Sequence, residues 1–151
     1  MANEIAINNE TYQKVEIHPY RHRVRYHELD TQGVVHPAHY MNWIEDARLD
    51  LLEQIGLGLT QMENTEILMP IISNSIEYLS PVKFDDTIVI GTTVTSYDGK
   101  QIEVAYRIFN EKTGKNHAMA KSKHFFTNKA GIPISLGRIY PELNTTFFEM
   151  K

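Results

Sequence analysis

The sequence contains no cysteine among its 151 residues. Disulfide bonds and thiolate metal sites are therefore excluded, and the redox compartment of the protein is not constrained. An excess of basic residues is also missing, because 15 lysines and arginines stand against 19 acidic residues, for a net charge of −4. Proteins whose main partner is a nucleic acid usually present a basic surface. We therefore expect no nucleic-acid partner.

Membrane and export signals are missing as well. No run of residues approaches the ~20 apolar residues of a membrane span. The N-terminal segment MANEIAINNE does not join a basic stretch to an apolar one, as a secretory signal does. We expect a soluble, cytoplasmic protein without membrane contact. Its length fits one domain, and a hydrophobic content of 42% is enough for a core.

The longest helical pattern begins near Pro37 and ends near Gly56. Proline suits the first helical turn, and glycine suits a helix end. Between them, apolar residues recur at the spacing of one buried helix face: Tyr40, Trp43, Ile44, Ala47, Leu51 and Ile55. The pattern predicts one long amphipathic helix. Glu45 and Arg48 are three residues apart on it, and we expect them to pair on its surface.

Five segments show the alternation of β-strands, and the dipeptide Asp98-Gly99 is a strong hairpin signal. In the first segment we expect one inward face and one outward row of arginines. The inward residues would be Tyr20, His22, Val24 and Tyr26, and the outward ones Arg21, Arg23 and Arg25. The five segments are residues 17–26, 67–80, 87–97, 102–110 and 117–127.

One long helix must cover the apolar face of these strands. The economical α+β architecture is a curved five-stranded antiparallel sheet wrapped around that helix. Residues 1–15 and 134–151 show no clear period, so we expect them to be peripheral tails of a single domain spanning residues 1–151.

The loop before the helix carries one acid, Asp30, and two histidines, His36 and His39. A helix start exposes unpaired backbone N–H groups and a partial positive charge. An acid beside it can serve catalysis, or it can cap a turn. The histidines raise the alternative of a metal site, but their spacing is not that of a helical i, i+4 pair. We expect no metal.

Several residues of this loop and helix stand at the spacings of a known motif. They are Tyr26, Asp30, Gly33-Val34-Val35, Tyr40, Trp43, Glu45 and Ala47-Arg48, followed by Tyr78, Pro81 and Asp85-Asp86. From about residue 20 to about residue 133, the chain resembles the hotdog-fold acyl-CoA thioesterases of the 4-hydroxybenzoyl-CoA thioesterase type. The resemblance implies hydrolysis of acyl-CoA to CoA and a carboxylic acid without a cofactor. It also implies a homodimer or homotetramer with sites at the dimer interface.

The resemblance assigns Asp30 as nucleophile or general base, and a backbone amide at the helix start as the donor that polarises the thioester carbonyl. The position of that amide falls on Pro37, which has no N–H. We expect Ala38 or His39 to offer an unpaired amide instead, or Gly33 to supply one, with His36 as an assisting catalytic side chain. The expected substrate-binding residues are Gly33, Val35, Ala38, His39 and Tyr40.

Other functions remain open on the sequence alone. A dehydratase or isomerase of the same fold would pair an acid with a histidine, and His36 allows this. A non-catalytic binder of acyl-CoA or acyl-carrier protein would leave the thioester intact, and a histidine-rich metal protein would hold metal. Neither the acyl group nor the choice between CoA and carrier protein follows from the residues.

Overall fold

The computed structural model of this chain describes residues 17–151. It also describes the backbone of four two-residue strand segments before them, which pair as two short antiparallel ladders. These segments are Ala2–Asn3, Ala6–Ile7, Glu10–Thr11 and Val15–Glu16. The prediction of a loose tail over residues 1–15 therefore falls largely outside the described residues.

The main sheet has five antiparallel strands in the order β1-β3-β4-β5-β2. They are β1 (Tyr20–Arg23), β2 (Ile71–Tyr78), β3 (Thr87–Tyr97), β4 (Gln101–Asn110) and β5 (Asn116–Phe125). The predicted hairpin joins β3 to β4, where Asp98 Oδ1 accepts the backbone N–H groups of Lys100 and Gln101 at 2.9 and 2.7 Å. Gly99 adopts the positive φ of +91° that this turn requires.

Helix α1 (Pro37–Gln54) packs against the sheet, and a short helix α2 (Leu59–Thr65) follows it. The buried face of α1 consists of Tyr40, Trp43, Ile44, Ala47, Arg48, Leu51 and Leu52. Five of these were expected from the helical period. Arg48 was expected at the surface beside Glu45, and that expectation is wrong, because the Arg48 guanidinium reaches inward to donate to the Tyr106 hydroxyl at 3.2 Å. None of the helices among the described residues is long and apolar enough to cross a membrane.

The first strand is shorter than its pattern suggested. It ends at Arg23, and the chain turns into a 3-10 helix (Tyr26–Glu28), so that Tyr26 is 78% exposed rather than inward. The turn is stabilised by the Glu28 carboxylate, which accepts the Arg25 backbone N–H at 2.7 Å. Arg21 and Arg23 point outward as expected and form ion pairs with Glu111 and Asp85.

The expectation of a peripheral C-terminal tail is corrected. Residues 134–151 form α3 (Leu136–Ile139) and α4 (Pro141–Met150), and Leu136, Leu143 and Phe147 are buried in the core. The Phe147 ring lies 5.2 Å from that of Tyr97, and the Tyr97 hydroxyl donates to Asn144 Oδ1 at 2.6 Å. The two helices thus close the end of the sheet at the β3–β4 hairpin.

A chain of polar side chains crosses the core between α1 and the sheet. Arg48 donates to Tyr106 Oη at 3.2 Å, Tyr106 Oη is 2.7 Å from Ser122 Oγ, and Ser122 Oγ is 2.7 Å from His124 Nε2. His124 Nδ1 lies 3.4 Å from the carbonyl of Met69. Because arginine only donates, every group is satisfied if each hydroxyl donates to the next and His124 carries its proton on Nδ1.

Burial and the nearby charge of Arg48 together lower the pKa of His124 to about 4. The ring is therefore neutral at physiological pH, as the direction of the hydrogen-bond chain requires.

Candidate active site

An open cleft of about 320 Å³ lies where the loop before α1 meets the end of β2. One wall carries Asp30, and the opposite wall follows β2 and the residues just after it. The cleft is lined by Asp30, Val34, Val35, Pro37, Tyr40, Tyr78, Leu79, Ser80 and Pro81. Burial raises the pKa of Tyr40 to about 12.

A larger open cleft of about 550 Å³ lies at the other end of the sheet. Its lining consists of Lys100, Pro133, Ile134, Ser135, Arg138 and Ile139. It contains no carboxylate that could act as base or nucleophile. Size alone therefore does not mark the active site, and the cleft beside Asp30 is the better candidate on its chemistry.

Asp30 is held by the tight turn in which it lies. Its Oδ1 accepts the backbone N–H groups of Gln32 and Val34 at 2.7 and 3.3 Å, and its own N–H donates to the Val34 carbonyl at 2.8 Å. Gly33 has the positive φ of +79° that allows the turn. Within residues 17–151 no donor is bonded to Oδ2. Asp30 thus caps a turn with one oxygen, while its other oxygen has no donor among the described residues.

His36 closes the start of α1. It occupies the N-cap position, where its Nδ1 accepts the Ala38 N–H at 3.0 Å and its carbonyl accepts the His39 N–H at 3.0 Å. An accepting Nδ1 places the proton of the neutral ring on Nε2. The expectation of an unpaired amide at Ala38 or His39 is therefore wrong for this state of the protein.

The loop amides are engaged in the same way. Gly33 N–H donates to the Asp30 carbonyl at 3.2 Å, so it is not an open donor either. At the cleft, the hydroxyl of Tyr78 makes only a long contact of 3.5 Å with the Pro37 carbonyl, and its ring packs edge-on against that of Tyr40. The Tyr78 hydroxyl is therefore only weakly bonded where it lines the cleft.

The predicted site residues divide into two groups. Asp30, Val35 and Tyr40 line the cleft together. Gly33, His36, Ala38 and His39 lie in the same loop and first helical turn but are not part of the lining.

The second wall was only partly foreseen. Tyr78 and Pro81 stood in the motif, whereas Leu79 and Ser80 carried no signal of their own. Ser80 Oγ donates to the Asn116 carbonyl at 2.8 Å and lies 3.0 Å from His117 Nδ1.

Three histidine rings gather at the helix start. The ring centroids of His27 and His39 are 6.4 Å apart, as are those of His36 and His39. In the part of the chain that the structure describes, no group of three histidine, cysteine or acidic side chains is arranged to hold a metal ion. His36 is already committed to the helix cap.

Comparison with known proteins identifies the family of this chain. The family model described as the thioesterase-like superfamily matches residues 24–136, which contain the loop, α1, both walls of the cleft and β2 to β5. The chain belongs to the thioesterase-like superfamily. This confirms the resemblance from which the thioesterase class was predicted.

Similar proteins agree with this assignment. The thioesterase-like chain is 30% identical to a Bacillus subtilis protein named "Putative acyl-CoA thioesterase YneP", over 85% of this chain and 93% of that protein. It is 29% identical to a 1,4-dihydroxy-2-naphthoyl-CoA hydrolase of Crocosphaera subtropica, over 72% of this chain and 81% of that one. A solved structure of a DHNA-CoA thioesterase from Staphylococcus aureus superposes with a TM-score of 0.80 at 26% identity, covering 86% of this chain and 87% of the other. The predicted hotdog fold is confirmed.

Proposed function

We propose that this thioesterase hydrolyses acyl-CoA, releasing free CoA and a carboxylic acid, with Asp30 as the reacting carboxylate. The observation that carries the proposal is the placement of Asp30 on the wall of an apolar cleft beside the start of α1, with Oδ1 fixed and Oδ2 without a donor. The names of the similar proteins, which refer to acyl-CoA and to 1,4-dihydroxy-2-naphthoyl-CoA, support a CoA thioester as substrate.

Two routes follow from this geometry. As a nucleophile, the Asp30 carboxylate attacks the thioester carbon and forms a mixed anhydride, which water then hydrolyses. As a general base, it takes a proton from the water that attacks the same carbon. In both routes the C–S bond breaks and the proton lost by water balances the CoA thiolate. The oxygen of water ends in the carboxylic acid when water attacks the substrate acyl carbon, directly or in the anhydride. Neither route needs a cofactor or a metal.

The developing oxyanion needs a donor at the helix start. Our proposal is that the substrate carbonyl replaces His36 Nδ1 as the acceptor of the Ala38 N–H. The exchange keeps the amide bonded throughout and uses the positive end of the α1 dipole. The displaced His36 imidazole and the Tyr78 hydroxyl can then assist as side-chain donors.

The edge strand β2 offers a surface through which two copies of the chain can pair. Within the described residues it pairs only with β5, and its other edge has unpaired backbone groups. Ile71 and Ile72 are each 46% exposed on it, an exposure that sheet edges usually avoid. The proposal includes a homodimer formed by pairing β2 with β2 of a second copy, and a tetramer of such dimers. Because Tyr78 ends β2 and lines the cleft, the second copy would stand beside the active site.

The test is the release of CoA thiol from a panel of acyl-CoAs that differ in chain length and aromaticity. The wild-type chain should release thiol and the free acid. Asp30→Asn should lower turnover by roughly 10²–10⁴-fold, the usual scale for loss of an acid–base group, while the fold is kept. Near-normal turnover in a folded Asp30→Asn variant would remove Asp30 from the mechanism.

The same assay separates the alternatives. A dehydratase or isomerase would return an acyl-CoA with an altered acyl group and no thiol. A non-catalytic binder would return the substrate unchanged. A parallel assay with acyl-carrier protein thioesters distinguishes the two carriers. The proposed cytoplasmic location agrees with a CoA thioester substrate.

A further inference from the structure

Glu28 stands two residues before Asp30 and is only 5% exposed. Its Oε1 accepts the Arg25 N–H at 2.7 Å and lies 2.7 Å from His22 Nε2, and its Oε2 accepts the Trp43 indole N–H at 2.6 Å. These partners belong to β1, to the start of the 3-10 helix and to α1. One carboxylate therefore connects three elements that meet behind the loop.

The backbone of Glu28 closes the same loop. Its carbonyl accepts the His36 N–H at 2.9 Å, and inside this pair the Asp30 N–H donates to the Val34 carbonyl at 2.8 Å. The loop is thus a short hairpin whose two ends meet at Glu28 and His36. The Glu28 side chain also accepts a hydrogen bond from Trp43, which lies one helical turn after the cleft residue Tyr40. This bond anchors the base of the hairpin to α1.

The ionisation of the Glu28 carboxylate suits its role as an anchor. Burial raises the pKa of Glu28, but the hydrogen bonds from the Arg25 amide, His22 and Trp43 outweigh it, and the net pKa lies below its usual value. The group is an ionised carboxylate, which accepts hydrogen bonds with both oxygens. A glutamine in its place would turn an NH₂ group toward at least one of these donors. A buried charge is costly unless it is well bonded, so this arrangement is specific to an acid.

We propose that Glu28 is a positioning residue for Asp30, holding the catalytic loop against α1. The inference rests on the proposed thioesterase chemistry. Glu28 is not part of the cleft lining, so its loss should move Asp30 rather than remove a contact with the substrate. Small displacements of a reacting group lower turnover strongly, and we therefore expect an effect on kcat rather than on KM.

The experiment places Glu28→Gln in two backgrounds, the wild-type chain and Asp30→Asn, and measures kcat and KM by thiol release. In the wild-type background kcat should fall by about 10–100-fold, the scale of a misplaced reacting group, and KM should change little. In the Asp30→Asn background, assayed at high enzyme concentration, Glu28→Gln should cause no further loss. A residue that acts through Asp30 has nothing left to position once that carboxylate is gone.

Two variants serve as controls. Glu63→Gln removes an exposed acid on α2 and should leave kcat unchanged. Trp43→Phe removes one donor to Glu28 but keeps an aromatic ring, and it should reproduce a smaller loss of kcat in the wild-type background only. If Glu28→Gln does not fold, as judged by circular dichroism and thermal unfolding, Trp43→Phe decides the question in both backgrounds.

Two results would overturn the inference: a folded Glu28→Gln variant with wild-type kcat, or equal losses in both backgrounds, which indicate general damage to the fold. If the wild-type chain releases no thiol from any acyl-CoA, the proposed function itself is wrong, and this outcome is distinct from the other two.

Discussion

His36 Nδ1 accepts the backbone N–H of Ala38 at 3.0 Å, so an imidazole of the chain itself closes the start of α1. Pro37 supplies no N–H, and the His39 amide is bonded to the His36 carbonyl. In the proposed mechanism a substrate carbonyl would compete with His36 for the Ala38 amide, and this competition can be measured.

Replacing His36 with alanine tests the competition. The Ala38 amide would become open to the substrate, so we expect turnover to fall by less than the ~10²–10³-fold that the loss of an oxyanion donor costs. The lost cap should lower stability by about 1 kcal/mol, measured by chemical unfolding. His36→Asn is the matched control, because asparagine is also a good N-cap and should restore stability. A loss of turnover as large as that of a removed oxyanion donor would make the imidazole itself the main donor.

Pro37→Ala would restore an N–H at the first position of α1. Because a further donor at the helix start can only add to the stabilisation of an oxyanion there, we expect kcat to hold or rise modestly. Steady-state kinetics with thiol release measures this directly. Abolished turnover in a folded Pro37→Ala variant would instead show that Pro37 shapes the cleft, and it would contradict the proposed donor.

The edge of β2 that is unpaired among the described residues predicts that the protein is an oligomer in solution. Light scattering of the wild-type chain at micromolar concentration should give at least twice the chain mass of 17.5 kDa. Ile72→Lys should shift the mass toward the monomer, because a charged side chain on an edge strand opposes edge-to-edge pairing. Ile132→Lys, at another exposed isoleucine away from β2, is the control and should leave the mass unchanged. A wild-type monomer would refute the proposed dimer.

The lowered pKa of His124 predicts how the free energy of unfolding depends on pH. Its pKa in the fold is about 4, whereas an unfolded histidine titrates near ~6.5, so the unfolded chain binds the proton first. The stabilisation from a neutral His124 is complete above the pKa of histidine in the unfolded chain, and it is lost as the pH falls from ~6.5 toward 4. The loss in the free energy of unfolding is about 3 kcal/mol at most. His124→Gln keeps hydrogen-bonding capacity without the titration.

Urea unfolding of the two chains between pH 4 and pH 7 provides the comparison. We expect the variant to lose less stability than the wild type over this interval. Parallel pH curves for the two chains would show that His124 does not contribute to the acid sensitivity.

The elements predicted from sequence were those with a strong local signal. Helix α1 has a regular apolar period from Tyr40 onward, and the Asp98-Gly99 turn has a known geometry, so both were located correctly. Four-residue α3 is too short to show a period, and α4 begins at a proline in a segment of mixed polarity. The place of α4 in the core depends on contacts of Phe147 with Tyr97 and Phe126, which are distant in sequence.

In the site, too, residues with a local sequence signal were predicted and residues that depend on distant contacts were missed. Asp30 stood in a motif and lies on the cleft, whereas the cap by His36 was missed because Ser, Thr, Asp and Asn are the usual N-cap residues. Glu28 was missed because a single acid in a turn resembles a surface residue until Trp43 is seen to donate to it. Arg48 was assigned to the surface because its acceptor, Tyr106, lies 58 residues away.

The two ends of the sheet are packed differently. At the β3–β4 hairpin, Phe147 of α4 packs on Tyr97 and Phe126, while the cleft lies at the opposite end, where β2 finishes at Tyr78. The aromatic packing and the proposed binding cleft thus lie at opposite ends of the strands. If the cleft beside Asp30 binds the acyl group as proposed, changes that reshape it need not touch the rings of Tyr97, Phe126 and Phe147. We then expect substrate preference and thermal resistance to vary separately.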